Sequence, residues 1–174
     1  MVNKYETGFT LIELLIVVAL LGALAVGLLA TVDPFEQLKK GNDTARRNTT
    51  SEVYNAAIRV YAAKGEFPWT TDVVAMPLSA AAMTAATDGY LSQIIALGEL
   101  KPQFVELAGA GNLGKIFLTS TADNGFIQNL TVCYMPESKS FQGEANAKFT
   151  NDGVTAAGCL ATGAGGTGCY WCVK

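Results

Sequence analysis

An apolar stretch runs from Phe9 to Val32 and carries a single charged side chain, Glu13. At 1.5 Å of rise per residue, about two dozen helical residues span roughly 36 Å, enough to cross a hydrocarbon core with some tilt. The pattern therefore predicts a membrane-spanning helix over residues 9–32 that is kept in the working protein. An acidic group deep in a bilayer costs roughly 2.5–3.5 kcal/mol, so Glu13 calls for a charge partner.

Polarity changes abruptly after Val32. Asp33-Pro34-Phe35-Glu36 has the form of a fresh helix start, with Asp as N-cap, Pro at the first helical position and Glu at the third. Residues 33–65 are expected to form a jointed amphipathic helix, with Gly41-Asn42-Asp43 as a second weak point and another cap. From Thr44 to Lys64 the period is helical. Ala45, Thr49, Val53, Ala56, Ala57 and Val60 make one stripe, and Tyr54, Ile58 and Tyr61 widen it. Arg47, Ser51, Asn55 and Arg59 fall on the opposite face, and Gly65 ends the helix.

Residues 66–174 are expected to form a globular head. Pro77 to Ala86 and Tyr90 to Leu97 have the pattern of two short helices separated by Asp88-Gly89. The later half shifts to a strand period over Lys115 to Thr119, Leu130 to Met135 and Ser140 to Gln142. Turns at Asp123-Asn124-Gly125 and Pro136-Glu137-Ser138-Lys139 separate these strands, and Lys148 to Thr155 and Cys169 to Val173 are candidate edge strands. A long helix followed by hairpin-linked strands is an α+β arrangement in which the second half of the helix packs on an antiparallel sheet.

The N-terminal pattern is specific enough to carry a resemblance. Cleavage after Gly8 would free an α-amine on Phe9, with an unperturbed pKa of about 8, four residues before Glu13 on one helix face. A short charged leader, Gly8, and then Phe9-Thr10-Leu11-Ile12-Glu13 opening an apolar helix resembles the type IV prepilin signature. The likeness covers Lys4 to about Val32, and Gly22 falls where such helices often carry glycine. Pro34 departs from it, because pilins often break the helix a little earlier.

The resemblance implies a pilin-like fold in which residues 1–8 are a leader removed by a prepilin peptidase and Phe9 is the N-methylated mature terminus. It implies that Glu13 meets the terminal amine of an adjacent subunit during filament assembly. The implied partners are further copies of the chain or related subunits, the peptidase, the assembly platform, and the membrane before assembly. Nucleic acid enters only if the filament is one that takes up DNA. The implied location is a single pass through the cytoplasmic membrane with the head outside, and then an extracellular filament. The competing reading is a secreted or signal-anchored binding domain: Lys4 supplies a basic n-region, and Ala23-Leu24-Ala25 has the small-x-small form that signal peptidase accepts.

Composition narrows the chemistry. The 174 residues carry a net charge of −3 and no histidine, so neither Ser-His-Asp nor Cys-His catalysis can be built from this chain. Removing residues 1–8 takes away Lys4 and Glu6 together and leaves the balance unchanged, which argues weakly against broad nucleic-acid binding. Lys39, Lys40, Arg46 and Arg47 form a local basic cluster, read as a solvated or paired face. Gly109-Ala110-Gly111-Asn112-Leu113-Gly114-Lys115 imitates a phosphate loop, but Ile116 stands where a Ser or Thr should follow. No catalytic, metal or cofactor site is expected, and the chain is read as a non-enzyme.

Cys133, Cys159, Cys169 and Cys172 all fall in the part placed outside the cytoplasm, where an even count implies two disulfides. Three pairings are open. Cys159 with Cys169, closing the loop through Gly163, Gly165, Gly166 and Gly168, and Cys133 with Cys172 are favoured. Residues three apart in a strand point to opposite faces, so Cys169 and Cys172 are poorly placed to bond each other.

Overall fold

The computed structural model describes residues 8–31, 33–123, 126–159 and 168–174. Residues 1–7 of the leader, Val32, the Asn124-Gly125 turn and the glycines 163, 165 and 166 lie outside the described residues. The chain divides into two compact units, Met1–Gln37 and Leu38–Lys174.

In the first unit, helix α1 spans Leu11–Thr31. Its described side chains are exposed along the whole length, and Leu11–Leu29 is long and apolar enough to cross a membrane. Helix α2, Pro34–Lys64, starts at the end of this unit. Asp33 Oδ1 accepts from the backbone N–H of Phe35 at 3.1 Å and of Glu36 at 3.2 Å. It satisfies two of the donors that a helix start leaves open, while Pro34 has no N–H to satisfy.

In the second unit, α2 supplies Val53, Ala56, Ala57 and Val60 to the core. Gly41-Asn42-Asp43 is not a break, because α2 passes through it unbroken and Asp43 is a buried helical residue rather than a cap. The buried stripe also differs from expectation at this end. Asp43, Arg46 and Thr50 point inward, whereas Ala45 is exposed. Apolar periodicity misplaces the face because the head offers α2 polar partners here.

The sheet orders five strands as β1-β2-β3-β5-β4, with neighbours antiparallel. They are β1 (Val73–Pro77), β2 (Ile116–Asp123), β3 (Phe126–Tyr134), β4 (Ala147–Phe149) and β5 (Tyr170–Val173). This is not a simple meander, since β5 inserts between β3 and β4. Strand β1 was not legible in the sequence: it is short, ends in proline and carries a bulge between Val73 and Met76, where Ala75 has φ of 44°. Between β1 and β2 lie four short helices, α3 (Ala81–Thr84), α4 (Tyr90–Ala96), α5 (Phe104–Ala108) and α6 (Ala110–Leu113). Helix α3 is much shorter than the expected Pro77 to Ala86, because Pro77 belongs to β1. Ser140 to Gln142, expected as a strand, is instead part of helix α7 (Lys139–Gln142).

One core joins these layers. Val53, Ala57 and Val60 of α2 pack in the same cluster as Ile116 and Leu118 of β2 and Val132 and Tyr134 of β3, and Met83, Leu91, Ile94 and Phe104 close it from the short helices. Tyr134 is fully buried with its phenol beside Arg47, close enough to feel that charge but without hydrogen-bond geometry. Burial, opposed by Arg47, raises its pKa to about 12. A raised acid favours the neutral form in the folded state, so its stabilisation is complete below the unfolded value near 10 and is lost as pH rises from about 10 to 12. The Tyr134→Phe variant is expected to match or exceed the wild type in stability at neutral pH, because an idle buried hydroxyl is removed. Thermal melts from pH 9 to 12 should show a shallower alkaline decline for the variant. Parallel declines would refute the assignment.

Candidate processing and assembly site

Gly8, Phe9 and Thr10 precede α1 in non-helical backbone. Phe9 is 74 % exposed, and a Cβ built on Gly8 meets nothing within 4 Å. The chain's own fold therefore does not demand glycine at position 8.

Thr10 and Glu13 close a reciprocal pair at the head of α1. Glu13 Oε2 accepts from the Thr10 N–H and from its hydroxyl, both at 2.8 Å. The Thr10 hydroxyl oxygen accepts from the Glu13 N–H at 3.3 Å. This is a capping box, and it places the carboxylate where the helix macrodipole favours negative charge. The Thr-x-x-Glu spacing was present in the sequence but was overshadowed by Glu13 as a membrane charge. Phe9 correspondingly lies outside the helix, so it does not share a helical face with Glu13 in the uncut chain. The Ala23-Leu24-Ala25 segment lies in the interior of α1, where every backbone group is engaged in the helix.

The structure joins Cys133 to Cys172 and Cys159 to Cys169, with Cα–Cα distances of 4.1 and 5.8 Å. Cys133 and Cys172 are register partners on β3 and β5. Cys169 and Cys172 thus belong to separate bonds.

The basic cluster is dispersed. Arg46 is buried, with its guanidinium 3.6 Å from Asp43 and 3.1 Å from Glu137. Arg47 pairs with Glu144 and lies 4.4 Å from the Phe141 ring and 4.9 Å from that of Trp171. Lys39 and Lys40 are thus no longer part of a four-charge patch. The imitation phosphate loop forms α6, which leads into β2, the reverse of the strand-to-helix order that cradles phosphate. Lys115 bonds Glu137 at 2.6 Å, and that hydrogen bond, reinforced by Arg46, holds the Glu137 carboxyl below its ordinary value.

The profile of the prokaryotic N-terminal methylation motif matches residues 3–29. The chain carries the type IV pilin and pseudopilin signature, and its long apolar N-terminal helix with a five-stranded antiparallel sheet is the α+β, pilin-like architecture. No curated protein and no solved structure matches the chain. Proteins with this signature are type IV pilin-like precursors of a structural, non-enzymatic kind, and the apolar helix is consistent with membrane anchoring before assembly.

Proposed function

We propose that this chain is a structural subunit of a type IV pilus-like filament, a pilin or pseudopilin and not an enzyme. A prepilin peptidase cuts after Gly8 and the new amine of Phe9 is methylated. The chain waits in the cytoplasmic membrane with its head outside, and an assembly platform then passes α1 into a bundle of like helices at the cell surface. The observation that carries this reading is one acidic residue in an otherwise uncharged α1, inside the methylation motif. Residues 1–8, 9–32, 33–65 and 66–174 act as leader, core helix, helical stalk and head.

Within that reading, Glu13 has two separable roles. Oε2 caps the helix through Thr10, while Oε1 has no hydrogen-bond partner among the described residues and is the oxygen to receive the Phe9 amine of a neighbouring copy. Mass and N-terminal sequencing of the mature protein from cells with their native processing machinery should give an N-methylated Phe9 start. A start after Ala25, or a retained leader, overturns the proposal.

The two roles of Glu13 separate on substitution. Glu13→Gln preserves the capping geometry, since glutamine serves at that position, but removes the charge. We expect Glu13→Gln and Glu13→Ala both to be cleaved normally and to yield few or no filaments by electron microscopy. Normal filaments from Glu13→Gln would reduce Glu13 to a helix cap.

A further inference from the structure

A groove of about 550 Å³ opens in the head between α2, the middle of β2 and β3, and the turn that follows β4. Its size lies within the range of roughly 300–1,000 Å³ typical of small-molecule sites. Tyr54 and Tyr61 line it from α2, Ser120, Asn129 and Thr131 from the sheet, and Asp152 from the turn. We propose that this groove binds a neutral saccharide. The inference does not depend on filament assembly.

Three observations specify that chemistry. Ser120 is 1 % exposed, and its hydroxyl has no hydrogen-bond partner among the described residues, an arrangement that costs stability unless solvent or a ligand completes it. Tyr61 is 45 % exposed and stacks on Phe67 with centroids 4.9 Å apart, which fixes the ring as a platform for the apolar face of a sugar. The polar lining is mostly hydroxyl and amide. Hydroxyls donate and accept with equal ease, which matches a polyol better than a charged ligand.

Two charged side chains line the groove, Asp152 and Lys174, and both are already engaged: Lys174 Nζ lies 4.2 Å from the centroid of the Phe149 ring. Asp152 Oδ1 accepts from the Thr150 hydroxyl and from the Val154 N–H at 3.3 Å, so the carboxylate is held within its own turn. That turn is fixed against the sheet. Gly153 has φ of 80°, and a Cβ there would come within 2.5 Å of Thr131 Cγ2, an approach that only glycine permits. The groove is thus built on a strand pair and a pinned turn, which limits the ordering cost of binding.

The test is saturation-transfer NMR on the full-length protein in a detergent without a sugar headgroup, with glucose, galactose, N-acetylglucosamine and lactose as probes at up to about 10 mM. At least one should bind, and Tyr61→Ala and Ser120→Ala should each weaken that binding about tenfold or more. Ser120→Ala should also keep or raise the thermal midpoint of the free protein, which separates lost recognition from lost folding. Silence from all four sugars, binding that survives both substitutions, or capture of an extended peptide in place of sugar would each overturn the proposal.

Discussion

Replacing Asp43 with alanine is expected to destabilise the head by about 3–5 kcal/mol, the range for removing one partner of a buried ion pair. Asp43 is fully buried on α2. Its carboxylate accepts from the Glu137 N–H at 3.0 Å and the Ser138 N–H at 2.7 Å, 94 and 95 residues further along the chain. Losing it leaves two backbone donors without their acceptor, and leaves the buried Arg46 with Glu137 as its remaining counter-charge and the neutral Asn112 Oδ1, 3.4 Å from Nε, as acceptor. Arg46 is close enough to Glu137 for ion pairing, but the contacting nitrogen is not aligned for a hydrogen bond, so Glu137 compensates poorly.

Chemical denaturation of wild type and variant would measure this loss. The double variant Asp43→Ala/Arg46→Met should recover part of it, because a buried cation is replaced by an apolar chain of similar reach. A loss below about 1 kcal/mol in the single variant would show the carboxylate to be a bystander, since that is the scale of exposed pairs.

The second large effect concerns the disulfides. Removing Cys133–Cys172 by paired alanine substitution is expected to cost roughly 4 kcal/mol, and removing Cys159–Cys169 roughly 3, from the chain entropy of closing loops of different length. The sequence separations are 39 and 10 residues. Position widens the gap. Strand β5 pairs with β3 only at Val132, Cys133 and Tyr134, and β4 reaches the sheet through β5. Denaturation midpoints of the two double variants, compared under oxidising conditions, should fall in that order. A larger loss from Cys159–Cys169 would refute the argument.

The N-terminal motif was legible because it is short, ordered and chemically specific: glycine, phenylalanine and one acid at the mouth of an apolar helix. The Asp33-Pro34 helix start was legible for a similar reason, as its meaning is entirely local. Face geometry disfavoured only a Cys169–Cys172 bond and did not fix the partners; the structure holds the two pairs that were favoured. What escaped was set by distant partners. Periodicity put Ala45 in the buried stripe, but the amides of Glu137 and Ser138 drew Asp43 inward instead. Arg47, expected on the open face, is taken up by Phe141, Trp171 and Glu144. Strand β1 and the insertion of β5 between β3 and β4 depend on pairings 21 to 47 residues apart, which no local pattern encodes.

That insertion governs the order in which the head can be completed. Synthesis delivers β4 before β5, yet β4 pairs in the sheet with β5 alone among the named strands. Until Tyr170–Val173 arrive, residues 147–149 have no sheet edge to join, and β3 presents an unpaired border. Contacts this distant in sequence are slow to form. The sheet therefore stays open until Tyr170–Val173 have been made, and the Cys133–Cys172 bond acts as a latch on a closed sheet rather than as a guide to closing it.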